Sequence, residues 1–246
     1  MRILLHLAYD GTDFHGCPDV PGQRTICGTL TEALGRVGLR PSLVETLSRT
    51  DAGVHADGNL GHVCLDRALP EAELLGILER HLPSDLRAHR VTRVDAVPVV
   101  VSKTYRYTLD LHRIGDPFLA RYAWRPPGPL QLSQVRAALA LFRGRQDFSA
   151  FGRTEDPRVD LVRTFDSVGL EQRGDRVAIE VVGQRFFYHL VRSVVGAAVM
   201  VGRGGASLDE LRAALAGEAV GVARQTAPAK GLNLHRIVVE NTATEG

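Results

Sequence analysis

The alternation of apolar and polar positions reads as a run of short elements. Arg2 to Tyr9 alternates weakly, as a strand does, and Asp10-Gly11-Thr12-Asp13 reads as a turn. Cys17 to Thr25 bears Pro and Gly and reads as loop. Leu30, Ala33, Leu34 and Val37 then recur at helical spacing, predicting a helix over 28–37 that Gly38 stops. Leu43 to Leu47 and Leu60 to Leu65 are β-prone runs. Pro70 to Leu82 predicts a helix: Pro70 suits its first turn, Glu71 and Glu73 its positive end, and Leu74, Leu75, Leu78 and Leu82 its apolar stripe. Arg87 to Val94 predicts another strand. Strand, helix, strand, strand, helix, strand is the order of a split βαβ, ferredoxin-like unit.

The remainder repeats this alternation loosely. Ser102 to Leu111 predicts a strand, and Arg125-Pro126-Pro127-Gly128-Pro129 is a break. A helix follows over 132–142, then a loop with a short strand over 144–151. Val162 to Leu170 and Arg176 to Val182 predict a hairpin around Arg173-Gly174-Asp175. Phe186 to Val201 reads as one long apolar helix. Ser207-Leu208-Asp209-Glu210 is a capping box opening a helix to Leu215, and Leu234 to Val239 closes the chain as a strand. The expected fold class is therefore α+β. Two ferredoxin-like halves, 1–98 and 99–246, are expected to share one extended, mostly antiparallel sheet.

Composition narrows this little. A chain of 246 residues with 44% apolar residues can bury a core without staples. Cys17, Cys27 and Cys64 form no CxxC pair, which predicts free thiols and a reducing compartment. The N-terminal apolar run ends in Tyr9-Asp10, too short for a signal peptide. Val194 to Val201, the longest apolar stretch, is too short to span a bilayer, so a soluble cytoplasmic protein is expected. The formal net charge is only +2. Of the 30 basic residues only Lys103 and Lys230 are lysine, leaving 28 arginines. Arginine suits bidentate phosphate contacts and base stacking. Base composition favouring arginine codons accounts for the excess as well.

The candidate chemistry lies in four stretches. Between the second and third strands runs Leu47-Ser48-Arg49-Thr50-Asp51-Ala52-Gly53-Val54-His55-Ala56. Arg, Asp and His are poor packing material, and loops between strands commonly carry sites. From spacing alone a tight turn with Asp and Gly as turn formers explains the stretch equally well. Asp51 beside Arg49 would stay ionised at neutral pH, suiting a nucleophile or base. In Lys103-Thr104-Tyr105-Arg106-Tyr107 the two tyrosines share one strand face. Tyr105 could stack on a base; Tyr107 reads as core. Arg192 sits among apolar neighbours, three residues after His189, and would need a carboxylate partner if buried. Thr226 to Leu232 looks like an ordinary turn. No Walker loop, HExxH pattern, zinc spacing or serine nucleophile elbow occurs. His55, His62 and Cys64 make a poor metal set, with a single nearby thiol.

Ser48 to His55 resembles the Gly-Arg-Thr-Asp-Ala-Gly-Val-His signature of the tRNA pseudouridine synthase A (TruA) family, with Ser48 in place of the glycine. The resemblance extends to Tyr9–Gly16, Lys103–Tyr107, Asp147–Phe151, Phe187–Gly196 with Val201–Gly204, and Thr226–Leu232, in the family's order. It implies the pseudouridine synthase fold and isomerisation of uridine to pseudouridine at positions 38 to 40 of the tRNA anticodon arm, without cofactor or metal. It implies a homodimer whose subunits jointly bind one tRNA. It implies that Asp51 is catalytic, that Arg49 holds the flipped-out state and contacts phosphate, and that Tyr105 stacks on the uracil. Arg192 would pair with Asp51, and Leu232 would line the base pocket. Three departures stand out: Cys17-Pro18 replaces the usual Trp-Gln after Gly16, Cys27 stands where a glutamine is usual, and 97–102 lacks the usual arginine. A non-catalytic RNA-binding protein or RNA chaperone on the same fold is the alternative reading.

Overall fold

The computed structural model describes residues 1–152, 160–218 and 221–240. In chain order its elements are β1 (Arg2–Tyr9), α1 (Ile26–Gly35), β2 (Pro41–Thr46), β3 (His55–Leu65), α2 (Glu71–His81), β4 (Leu86–Arg93) and β5 (Val100–Asp110). There follow α3 (Leu132–Leu141), β6 (Gly144–Asp147), β7 (Val162–Arg173), β8 (Arg176–Gly183), α4 (Leu190–Gly202), α5 (Leu208–Leu215) and β9 (Leu232–Val239). The fold class is α+β. The chain forms two compact units, Met1–Val101 with Asn233–Gly246, and Ser102–Leu232. The last strand thus belongs to the first unit, although it ends the chain.

In the first unit β1 lies between β4 and β3, with β2 on the far side of β3, and these pairings are all antiparallel. That is the ferredoxin-like order which the alternation of elements predicts. Leu5 sits opposite Gly61 on one side and Val91 on the other. β9 adds a parallel bridge, His55 and Ala56 lying opposite Asn233 and Leu234. Ile3, Leu5 and Leu7 alternate along β1 and are almost wholly buried, as are Leu30 and Leu34 of α1 and Leu74 and Leu78 of α2. Helix α1 begins two residues earlier than its apolar spacing suggests, because Thr25 caps it through a bond from the Gly28 amide, 3.1 Å.

In the second unit β5, β8, β7 and β6 follow one another, with Tyr105 opposite Val181 and Tyr107 opposite Ile179. The expected hairpin is present, β7 and β8 turning at Gly174-Asp175. The Ser207–Glu210 capping box forms in both directions. One expectation fails: the apolar run from Phe186 is not helical throughout. Helix α4 starts at Leu190, because His189 adopts left-handed backbone, φ 66° and ψ 0°. His189 is therefore not stacked on Arg192 by helical repeat. Apolar content alone could not reveal this break. No helix among the described residues is long and apolar enough to cross a membrane.

Candidate functional site

The candidate residues divide between the units: Arg49 and Asp51 lie in the first, Tyr105, Arg192 and Leu232 in the second.

The loop after β2 is fastened at nearly every second residue. The Leu47 amide bonds the Leu60 carbonyl, 2.8 Å, and the Ser48 carbonyl accepts from Asn59 Nδ2, 2.9 Å. The Thr50 amide donates to Cys17 Sγ, 3.3 Å, while the Cys17 amide donates to the Thr50 carbonyl, 3.2 Å. The Gly53 amide reaches the Phe14 carbonyl, 3.2 Å, and the Val54 amide closes a turn on the Asp51 carbonyl, 3.2 Å. Gly53 has φ +76°, which a glycine adopts without steric cost. Gly11 lies so close to Val54 that a Cβ would stand 2.0 Å from its carbonyl oxygen. His55 Nδ1 lies 3.0 Å from the Gly11 amide and 3.1 Å from Asp10 Oδ1, so His55 is a fastening between the loop and the Asp10-Gly11 turn. Ser48, Thr50, Val54 and His55 are buried; between them Arg49 is exposed and Asp51 half-buried. The loop is a tight turn, and the turn displays the two charged residues.

Beneath it lies a polar cluster that sequence reasoning missed. Tyr9 Oη is 2.9 Å from Thr50 Oγ1 and accepts from Asn59 Nδ2, 2.9 Å. Cys17 Sγ lies 3.2 Å from Thr50 Oγ1 and 3.5 Å from Tyr9 Oη. Tyr9, Cys17, Thr50 and Asn59 are all buried. Burial pushes the Tyr9 phenol well above its usual pKa, so it remains a neutral donor. Cys17, one of the expected free thiols, is a hydrogen-bonding member of this cluster. The available signal was period two: Tyr9 falls on the inward register of β1, where a polar tip needs a partner.

In the second unit Tyr105 and Tyr107 are buried on one face of β5, while Arg106 faces outward and pairs with Glu180, 2.9 Å. Tyr105 meets Phe186 edge-on, with centroids 4.9 Å apart. Tyr107, core as expected, donates from its hydroxyl to the Pro228 carbonyl, 2.8 Å. Burial pushes this phenol up as well. Arg192 is half-buried, and its Nε donates to the Ala227 carbonyl, 2.8 Å, while the Ala227 amide returns a bond to the Arg192 carbonyl, 3.0 Å. The segment 226–232 is thus more than a turn. It is pinned to α4 at Ala227 and to β5 at Pro228, and it delivers Leu232, buried, to the start of β9. A Cβ at Gly231 would sit 2.5 Å from Tyr107 Cζ, so only glycine fits there. Elsewhere, His62 lies against Glu45, 3.1 Å, and Cys64, 3.7 Å. No group of His, Cys, Asp and Glu among the described residues could hold a metal ion. Cys17, Cys27 and Cys64 are free thiols, and burial raises that of Cys27 to about 12.

A clamped loop displaying an aspartate and an arginine, on an α+β fold with a ferredoxin-like first unit, is the setting in which the family comparisons fall. Residues 138–238 match the family model for tRNA pseudouridine synthase. Over 242 residues the chain is 37% identical to the tRNA pseudouridine synthase A of Brevibacillus brevis, covering 96% of this chain and 99% of that one. The enzyme of the same name from Methylobacterium nodulans is 35% identical over 95% of this chain and 94% of its own, and that from Geobacillus 33% over 98% and 99%. The chain belongs to the tRNA pseudouridine synthase A family, a family of isomerases.

Proposed function

We propose that this protein isomerises uridine to pseudouridine at positions 38 to 40 of the tRNA anticodon arm, with Asp51 as its catalytic residue. The observation that carries this reading is the loop geometry. Ser48, Thr50, Gly53 and Val54 are tied down, so Arg49 and Asp51 are displayed on a rigid turn. Such preorganisation places a reacting group at little further entropic cost.

The reaction breaks the N1–C1′ glycosidic bond, turns the uracil, and joins C5 to C1′; the C5 proton is lost and N1 ends protonated. No net oxidation occurs, so the chemistry needs no cofactor. The target nucleotide must first leave its stack, at a cost of roughly a few kcal/mol. Arg49, exposed beside Asp51, suits a phosphate of the flipped-out strand. Arg192 is assigned to pair with Asp51, Tyr105 to stack on the uracil, and Leu232 to line the base pocket. Asp51 acts either as nucleophile on the ribose or uracil or as the base that takes a ribose proton. The working form is assigned as a cytoplasmic homodimer whose subunits share one tRNA, to be checked by sedimentation and tRNA stoichiometry.

The deciding experiment is tritium release from unmodified tRNA labelled at uridine C5. Wild type should release tritium, and Asp51→Ala should release none while still binding tRNA. Undiminished release from Asp51→Ala would sink the mechanism. Binding without release by wild type would favour a non-catalytic RNA-binding protein.

A further inference from the structure

We propose that Tyr188 and His189 form a stacking subsite for an unpaired nucleobase of the RNA, apart from the target uridine; the assignment of RNA as the ligand rests on the function proposed above. Tyr188 is 70% exposed, a large ring held in solvent just before α4. The His189 ring lies against it, centroids 3.6 Å apart and planes 25° from parallel. Consecutive side chains do not normally stack. In a strand they point to opposite faces, and in a helix they diverge by about 100°. What brings these two together is the left-handed backbone of His189, at φ 66° the one positive-φ residue other than glycine among the described residues. That conformation is sparsely populated, and strain of this kind clusters at ligand sites.

The paired rings border a cavity of about 720 Å³, within the second unit, which Phe151, Ser193 and Thr226 also line. Its volume lies in the range of small-ligand sites. The described lining offers flat rings and two hydroxyls and no carboxylate, and Arg185 is exposed three residues before Tyr188. Planar rings and neutral hydroxyls match a nucleobase, since stacking on aromatics is how single-stranded bases are held.

The test compares KM and kcat for unmodified tRNA in wild type, Tyr188→Ala and Tyr188→Phe. The expected result for Tyr188→Ala is a KM raised about 5- to 150-fold, the usual range for a lost base stack, with kcat largely kept. Tyr188→Phe, which keeps the ring, should match wild type. A second series uses tRNA in which each unpaired nucleotide in turn is abasic. At one position the lesion should raise KM in wild type and leave Tyr188→Ala unaffected. An unchanged KM in Tyr188→Ala, or no abasic position whose effect the variant abolishes, overturns the subsite. If wild type releases no tritium, the proposed function fails separately, and the same series read as Kd still decides the subsite.

Discussion

The loop 47–55 and the segment 226–232 each lead into a strand and each carry candidate site residues, yet they are immobilised by different means. The first is held by hydrogen bonds from beneath: Asn59, Tyr9 and Cys17 reach the backbone or hydroxyls of Ser48 and Thr50. The second is held largely by close fit: Gly231 sits against the Tyr107 ring, while Ala227 exchanges two bonds with Arg192 and the Pro228 carbonyl takes one. The difference follows from what each displays. A loop presenting charge cannot anchor itself with apolar side chains at the same positions, so its alternate residues turn inward as polar anchors. A segment presenting Leu232 can be packed like any core strand.

If that contrast is right, the largest effect should come from Asn59. Asn59→Ala strips the Ser48 carbonyl, the Tyr9 hydroxyl and the Leu60 amide of a partner in a wholly buried place. We expect about 3 kcal/mol lost in urea unfolding, with turnover falling further than the folded fraction accounts for. Turnover that simply tracks the folded fraction would break the comparison. Gly231→Ala forces a methyl into the Tyr107 ring and should cost about 2 kcal/mol as overpacking. Restoring most of that loss by combining it with Tyr107→Leu would identify the clash as the cause. Tyr107→Phe removes only the bond to the Pro228 carbonyl and should cost about 1 kcal/mol.

The smallest effect concerns a pair outside both segments. Arg24 bonds both oxygens of Asp85, at 2.8 Å each, and these bonds, opposed by a smaller desolvation and helped further by the Arg24 charge, hold the Asp85 carboxyl below its usual 3.8. A carboxyl depressed on folding contributes stability above its unfolded pKa and loses it as pH falls through the folded value. Wild type should therefore lose slightly more stability below pH 4 than Asp85→Asn. Because both side chains are partly exposed, the difference should stay under about 1 kcal/mol. A difference that appeared instead above neutral pH would rule the pair out as its source.

Much of the fold was legible in periodicity. The α2 stripe, the hairpin at Gly174-Asp175 and the Ser207 capping box depend on neighbours a few residues apart, and short-range rules cover them. The break before α4 was not legible, because Phe186-Phe187-Tyr188-His189 holds no glycine or proline to separate it from the apolar helix it precedes. His189 carries no glycine to mark its left-handed backbone. The anchors of the Asp51 loop were equally hidden: Tyr9, Cys17 and Asn59 look like ordinary strand and loop residues, and they lie 41, 33 and 9 positions from Thr50 in the numbering.

By itself the sequence determined the alternation of strands and helices, the family, and the presence of Arg49 and Asp51 in a loop between two strands. These are properties of local spacing and residue type, set by backbone geometry and side-chain chemistry. Tertiary structure alone decided which residues hold that loop still, why residue 231 must be glycine, and where α4 begins. The first two depend on atoms brought within about 3 Å by pairings across tens of residues, a reach that no local pattern encodes, and the third on a left-handed backbone at a residue that is not glycine.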